Sequence, residues 1–259
     1  MYSFILSVCL FAVISAFPAF AAETAEASAT APKNENVTLD LTESDTEEQM
    51  KTATVASLDE LKNQNFDFNA QDNNGNTPLF YLLTRNRDIE VARKAIQLGA
   101  DVNTPNKAGI LPVNIPTSKA NELQLQIIMM QSMGLDLNDT EVQNKVQEKI
   151  FHEMDRMLKM AQMLIENGAD VNKESSLGTP LMNAATNAWN YEIAKLFIDN
   201  GANVNAQDKN GKTALFYATA SNNDDIAMLL LKSGADTEIK DNTGKTYLEI
   251  ERLDTEKPL

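Results

Sequence analysis

The sequence predicts an all-α solenoid of stacked helix pairs with a period of about 34 residues. Residues 67–84, DFNAQDNNGNTPLFYLLT, are nearly repeated at residues 203–220, NVNAQDKNGKTALFYATA, so the separation is 136 residues. A glycine also follows a run of apolar residues spaced three and four apart, as in an amphipathic helix. These glycines, 35, 34, 33 and 33 residues apart, are Gly99, Gly134, Gly168, Gly201 and Gly234.

The first predicted element is a signal peptide over residues 1–21. This segment contains no charged side chain, and residues 4–17 form an apolar run that is short for a bilayer span. Ala19 and Ala21 supply small residues before a cleavage point at Ala22. We therefore expect a periplasmic or secreted protein. Because no Lys or Arg precedes the apolar run, an uncleaved membrane anchor remains an alternative.

Residues 22–53 are predicted to form a disordered acidic linker. This segment contains eight Asp or Glu, two Lys and no aromatic residue, so it has little apolar area to bury. After cleavage the chain has no cysteine, because the single cysteine is Cys9. The net charge of −15 disfavours nucleic acid and anionic lipid as partners. A basic or neutral protein partner is the better expectation.

The repeat domain is predicted over residues 54–259. After a partial unit, we expect five units followed by a half unit as a cap: 67–101, 102–136, 137–170, 171–203 and 204–236. Helices are expected to start at Thr77 and Thr179, each followed by Pro at the first helical position. They are expected to end at the repeated glycines in left-handed conformation, with Asn65 one period ahead of Gly99.

Two units in the middle are irregular. Pro112 and Pro116 predict that the first helix of unit 102–136 is short or lost. In unit 137–170, Thr140 and Gln143 form a capping-box pattern, which indicates an early helix start. The helix either runs unbroken to residue 167, about 40 Å, or breaks within residues 153–156 into two antiparallel helices, which we favour. The methionines of both units are expected to fill an irregular core, with a plastic binding surface as the alternative.

The phrases Thr-Pro-Leu (77–79 and 179–181), Gly-Ala-Asp-Val-Asn (99–103 and 168–172) and AQDKNGKT (206–213) resemble the ankyrin repeat. The resemblance implies a cupped array with turns as fingers and helices as the palm, and protein binding as its function. Where the family commonly has His after Thr-Pro-Leu, this chain has Phe80, Met182 and, after Thr-Ala-Leu, Phe216. We therefore expect apolar packing in place of a polar link between units.

The residues favour a protein without catalytic function. His152 is the only histidine, so a triad or a two-histidine metal site has no basis. DNNGN and DKNGK place Gly fourth, whereas a calcium loop requires it sixth. We expect no cofactor, no metal and no small-molecule substrate. Trp189, in the loop of unit 171–203, is interpreted either as a binding anchor or as a packing residue between repeats.

Two functions follow from these features. The first is a monomeric protein-binding module of the bacterial cell envelope, of inhibitor or immunity type, which engages its partner through the concave face. The alternative is a membrane-tethered scaffold or protective factor for a periplasmic enzyme. The predicted binding residues lie on the fingers and inner helices: Asp72, Asn74, Tyr81, Asp208, Lys209, Asn210, Tyr217, Asp241 and Asn242.

Overall fold

A computed structural model describes residues 43–86, 88–119, 122 and 140–250. The predicted signal peptide, most of the predicted linker and the turn at Gly134 lie outside the described residues. The described part is helical and contains no β-strand, which confirms the all-α prediction. No helix in this part is both long and apolar enough to cross a membrane.

Nine α-helices, numbered here along the chain, form the described array. They are α1 (Glu43–Lys51), α2 (Val55–Asn63), α3 (Pro78–Thr84), α4 (Ile89–Gln97), α5 (Thr140–Glu166), α6 (Pro180–Ala185), α7 (Tyr191–Asp199), α8 (Ala214–Ala220) and α9 (Asp224–Lys232). A 3-10 turn, Pro112–Asn114, continues into helical residues 115–119. A second 3-10 turn, Ala188–Asn190, joins α6 to α7.

Neighbouring elements form inner and outer rows. The inner row, in contact order, is α1, α3, residues 112–119, α6 and α8; the outer row is α2, α4, α5, α7 and α9. From α3 onward, each inner element contacts the following outer helix, while α1 packs on α3 and α2 packs on α4, so the array has five successive inner and outer pairs. The core is the apolar seam between the rows and includes Leu79, Leu181, Phe197 and Leu215.

The predicted helix boundaries follow from local chemistry. The Thr77 and Thr179 hydroxyls accept the amides of Phe80 and Met182 at the starts of α3 and α6. At the helix ends, the predicted glycines within the described residues have positive φ, for example +88° at Gly168. Asn65 takes the same role with φ +60°. The predictions at Thr77, Thr179, Asn65 and the described glycines are therefore confirmed, whereas described residues 237–250, where the half unit was expected, contain no helix and Leu248 is exposed.

The predicted linker extends too far along the chain. Residues 43–51, assigned to it from composition, form α1, and Met50 is fully buried. The Asn86 side chain donates to the Met50 and Ala53 carbonyls at 3.0 and 2.9 Å. The described array therefore begins at residue 43, before the predicted boundary at 54, because one buried methionine and a buried asparagine bind this charged helix to α3.

The predicted units 102–136 and 137–170 are a single repeat with an insertion. The Asn103 amide group bonds the Gly168 carbonyl and the Asp170 amide at 2.9 Å each. The inner segment 112–119 contacts α6 directly, and α5 contacts both α4 and α7. The insertion therefore separates the inner and outer parts of the third helix pair. It adds almost one period to the chain, which is why the spacing of the glycines suggested an additional unit.

Helix α5 is continuous over its 27 residues, so the favoured break at residues 153–156 is wrong. The first part of α5 is mostly exposed, whereas Met157, Met160 and Met163 are buried in the core. These three methionines therefore fill the core, as expected. Met129, Met130 and Met133 lie outside the described residues.

Pro112 opens a 3-10 turn that continues into helical residues 115–119, and the end of this inner helix lies outside the described residues, so its predicted shortening stays a prediction. The predicted apolar packing between units is confirmed. Met182 and Phe216 are buried at 1% and 2% exposure, while Phe80 is half-buried. Apolar packing thus occupies the position at which the family commonly has histidine.

Candidate functional site

Four turns project before successive inner elements, a fifth follows α9, and together they form the fingers of the array. We number them finger one to finger five by their tips: residues 72–76, 106–110, 175–178, 208–212 and 241–245. A backbone hydrogen bond of 2.9 to 3.1 Å joins the first residue of each tip to its last. Successive tips begin 34, 69, 33 and 33 residues apart, so the insertion lies between fingers two and three.

In fingers one and four, an aspartate bonds the tip to the inner helix. The Asp208 carboxylate accepts the Tyr217 hydroxyl at 2.6 Å, and the Lys212 and Asn210 amides at 2.8 and 2.9 Å. Asp72 accepts the Tyr81 hydroxyl in the same way. Each carboxylate thereby orders its own turn and fixes it to the palm.

The environment of this pair shifts the pKa of both groups. Partial burial raises the pKa of Asp208, but hydrogen bonds from Tyr217, Lys212 and Asn210 outweigh burial, so the pKa lies below its usual value. Burial and the hydrogen bond to Asp208 raise the pKa of the Tyr217 hydroxyl well above its usual value. The stable form at neutral pH is therefore an ionised aspartate with a neutral tyrosine.

Finger five uses a related arrangement without tyrosine. Asp241 is buried and accepts hydrogen bonds from the Thr243 hydroxyl and amide and from the Lys245 amide. The hydrogen bond from the Thr243 side chain and the two amides lower the pKa of the Asp241 carboxyl. This aspartate is thus a turn-forming residue.

The structure therefore divides the predicted binding residues into two groups. Five of them lie within the finger framework, fully or partly buried: Asp72, Tyr81, Asp208, Tyr217 and Asp241. The other four have exposed side chains at the tips: Asn74, Lys209, Asn210 and Asn242. The second group is the more accessible to a partner, although the Asn242 side chain also donates to the Lys209 carbonyl at 2.9 Å and the Asn210 side chain to Asp208 at 3.2 Å. The first group positions the loops.

An asparagine ladder runs along the base of the fingers and was not predicted. Asn69, Asn103, Asn172 and Asn205 each donate to the carbonyl of the next helix-ending glycine, at 2.9 to 3.1 Å. Each also accepts an amide two residues after that glycine. The sequence contains a pattern that could have predicted this ladder, because each asparagine follows Asn65 or a helix-ending glycine by four residues.

Leu177, at the tip of finger three, is a second residue that the sequence analysis missed. Its side chain is 43% exposed. Fingers one, two, four and five have Asn74, Ala108, Asn210 and Thr243 at this position. The sequence could have indicated this residue, because a leucine stands where the other fingers have small or polar residues. It is the one large apolar side chain among these five tip positions.

The remaining candidates have ordinary structural positions. Trp189 lies in the 3-10 turn before α7, half-buried against the core, which favours the packing interpretation. His152 is exposed on α5, with its Nε2 atom 3.7 Å from a Glu148 oxygen. Within the described residues, no group of three or more His, Cys, Asp or Glu side chains is arranged to hold a metal ion.

Comparison with known families gives one match. Residues 153–241 match the family model described as ankyrin repeats (3 copies). The matched region starts within α5 and ends at finger five, so it includes the outer helix of the third pair and the two following pairs. No curated protein matches the chain. Ankyrin repeats are protein–protein interaction modules, and by this match and the stacked helix pairs, residues 153–241 of the chain are ankyrin repeats.

Proposed function

We propose that the chain is an exported protein-binding module of the bacterial cell envelope, which engages a protein partner through the concave face formed by the fingers and inner helices. The supporting observation is the preorganised finger row. Backbone bonds, aspartates and the asparagine ladder fix the loops, while Asn74, Lys209, Asn210 and Asn242 are exposed at the tips. A surface that is ordered before binding loses less conformational entropy on association.

The charge of the chain supports a partner of basic or neutral overall charge. A net charge of −15 accelerates the approach of a basic protein and slows that of an acidic one. This negative charge suits an inhibitor or immunity-type protein that captures a basic effector. The association rate with such a partner should fall as salt is added, with a smaller change in the dissociation rate.

The test uses the chain from Ala22 onward. Immobilised protein would capture partners from a periplasmic extract of the source organism, and a captured partner would then be purified and titrated. We expect an Asn74→Ala, Asn210→Ala double variant to bind several-fold more weakly. The matched control is Glu192→Ala on α7, an exposed residue of the outer row. An equal loss of affinity in the double variant and in the control would show that the partner does not bind through the concave face.

The alternative is a tethered scaffold or protective factor, and the sequence feature that favours it is the apolar segment 4–17 without preceding Lys or Arg. Intact-mass measurement of the protein from its native host separates the two. A terminus at Ala22 supports the free module. A terminus at Met1, with recovery in the membrane fraction, supports the tether and overturns the soluble inhibitor.

A further inference from the structure

Backbone hydrogen bonds between neighbouring finger tips are interrupted at one junction. They are present at three others: Lys107 N to Asn74 O at 2.9 Å, Ser176 N to Gly109 O at 3.2 Å, and Asn242 N to Asn210 O at 2.9 Å. The equivalent bond between fingers three and four would start from the Lys209 amide. In the described part of the chain, neither that amide nor the Leu177 carbonyl takes part in a hydrogen bond. Both remain available to a partner.

Leu177 is on one side of this junction. Finger three is one residue shorter than the others, because the Ser175 amide donates to the Gly178 carbonyl. The Ser175 hydroxyl accepts the Leu177 amide at 3.1 Å. The exposed leucine is therefore attached to an ordered turn, so binding through it needs little further ordering.

Lys209 and Lys212, on the other side, contribute two positive charges. The only carboxylate in the tip of finger four is Asp208, and Tyr217 and two backbone amides already bind it. Just before the tip of finger three, Lys173 and Glu174 cancel in formal charge. All five tips together contain three Asp and four Lys, so the negative charge of the chain resides elsewhere.

We propose that the junction of fingers three and four is the centre of the partner interface, and that it receives a partner segment in which an apolar side chain is adjacent to a carboxylate. The apolar side chain packs on Leu177, and the carboxylate contacts the Lys209 amide and ammonium group. This inference rests on the proposed protein-binding function. It is compatible with a basic partner, because the overall charge of a protein and the charge of one contact segment are separate properties.

A displayed library of random linear peptides, selected on the chain from Ala22 onward, provides the probe. We expect the selected peptides to share an apolar residue next to Asp or Glu. Leu177→Asn and Lys209→Asn should each weaken their binding about tenfold or more, as loss of a central contact does. Asn already occupies these positions in finger one, as Asn74 and Asn73, so both variants suit the turn.

Leu248→Asn is the matched control, since Leu248 is 69% exposed near the carboxyl end of the described array. It should leave binding unchanged. Peptides that bind at the other tips, or that are rich in Lys and Arg, would overturn this inference and leave the proposed function intact. Peptides insensitive to every tip variant but sensitive to Glu192→Ala on α7 would overturn both.

Amide hydrogen exchange in the free protein gives a second readout. The Lys209 amide should exchange faster than the amides of Lys107, Ser176 and Asn242, which donate to neighbouring tips. Addition of a selected peptide should slow exchange at Lys209. Protection at Lys209 equal to that of the other three in the free protein would contradict the interruption and overturn the inference.

Discussion

At the scale of single residues, the aspartates of the fingers have a different role from the one their sequence positions predicted. Charged residues in variable turns suggested direct contact with a partner. Instead, Asp72 and Asp208 accept hydrogen bonds from a tyrosine nine residues later and from backbone amides of their own turns. Replacing either aspartate to test partner charge would therefore also disturb the finger.

The Tyr217 hydroxyl should stabilise the fold measurably. Tyr217→Phe removes a hydrogen bond to an ionised carboxylate, so we expect a loss of about 1.5–3 kcal/mol in the free energy of unfolding. Urea unfolding followed by circular dichroism measures it. Tyr191→Phe is the control, because the half-buried Tyr191 side chain has a hydroxyl without a hydrogen bond to the described residues. Equal effects of the two variants would contradict a stabilising Tyr217–Asp208 bond.

Stability should also fall in acid. The folded-state pKa values of Asp208 and Asp241 are lowered, so both carboxylates contribute stability above the unfolded value of about 4. This contribution is lost as the pH falls through the folded values. Urea midpoints measured from neutral pH downward should decrease in this range. Asp208→Asn should have a shallower pH dependence, and an unchanged slope would remove Asp208 from this explanation.

At the scale of elements, α5 differs most from the regular pattern. Its second half is an ordinary outer helix that contacts α4 and α7, whereas its first half belongs to the insertion. The family match begins at residue 153, which agrees with this division of the helix. The insertion lies between two halves of one repeat that the Asn103 bonds hold in register.

The insertion should be removable without loss of the array. Replacing residues 120–152 with Ser-Asn-Asn, the connection between α8 and α9 at residues 221–223, leaves Met157, Met160 and Met163 in place. We expect a helical protein that unfolds cooperatively, with less total helix by circular dichroism. The control is the same replacement combined with Met160→Asp, which should fail to fold. An aggregated or unfolded shortened chain would show that the insertion is part of the core.

The sequence predicted most elements of the regular repeats. Thr77, Thr179 and the helix-ending glycines gave helix starts and stops, because capping and left-handed conformation depend on local chemistry. Two features depend on distant contacts and were missed. Helix α1 is charged along its length but buries Met50. The insertion nearly matches one period, so spacing could not distinguish it from a repeat, and only the contact of residues 112–119 with α6 does so.

The candidate site was predicted less well than the fold. Asn74, Lys209, Asn210 and Asn242 are exposed as expected, whereas Asp241 and Tyr81 are buried. Alternating exposure within a tight turn depends on which side chain bonds back to the loop. The sequence letters do not specify that choice, because asparagine and aspartate suit both positions.

At the scale of the whole molecule, stability should be distributed along the stack. In repeat proteins it approximates a sum over units and the interfaces between neighbours. The asparagine ladder supplies part of each interface, at a position where every unit end would otherwise have an unbonded carbonyl and amide. The second and third helix pairs are joined by Asn103 despite the insertion.

Weakening the Asn103 contact between the second and third helix pairs should let the two ends of the array unfold in separate transitions. Asn103→Ala leaves the Gly168 carbonyl and Asp170 amide without their bonds, so we expect a loss of about 1–3 kcal/mol and a broader transition. Trp189 is the only tryptophan and reports on the fourth pair. Its fluorescence transition should no longer coincide with that of circular dichroism. Gln97→Ala, at an exposed position of α4 whose side chain has no hydrogen bond to the described residues, is the control and should keep the two transitions coincident.

The carboxyl end of the ladder determines whether the array can grow. Glu238 stands where the next asparagine would be, and it has no amide group to donate to the carbonyl of another glycine. A carboxylate at that position would repel such a carbonyl. Two molecules therefore cannot continue the ladder end to end through this position. Glu238 consequently disfavours fibre formation by end-to-end stacking through this ladder.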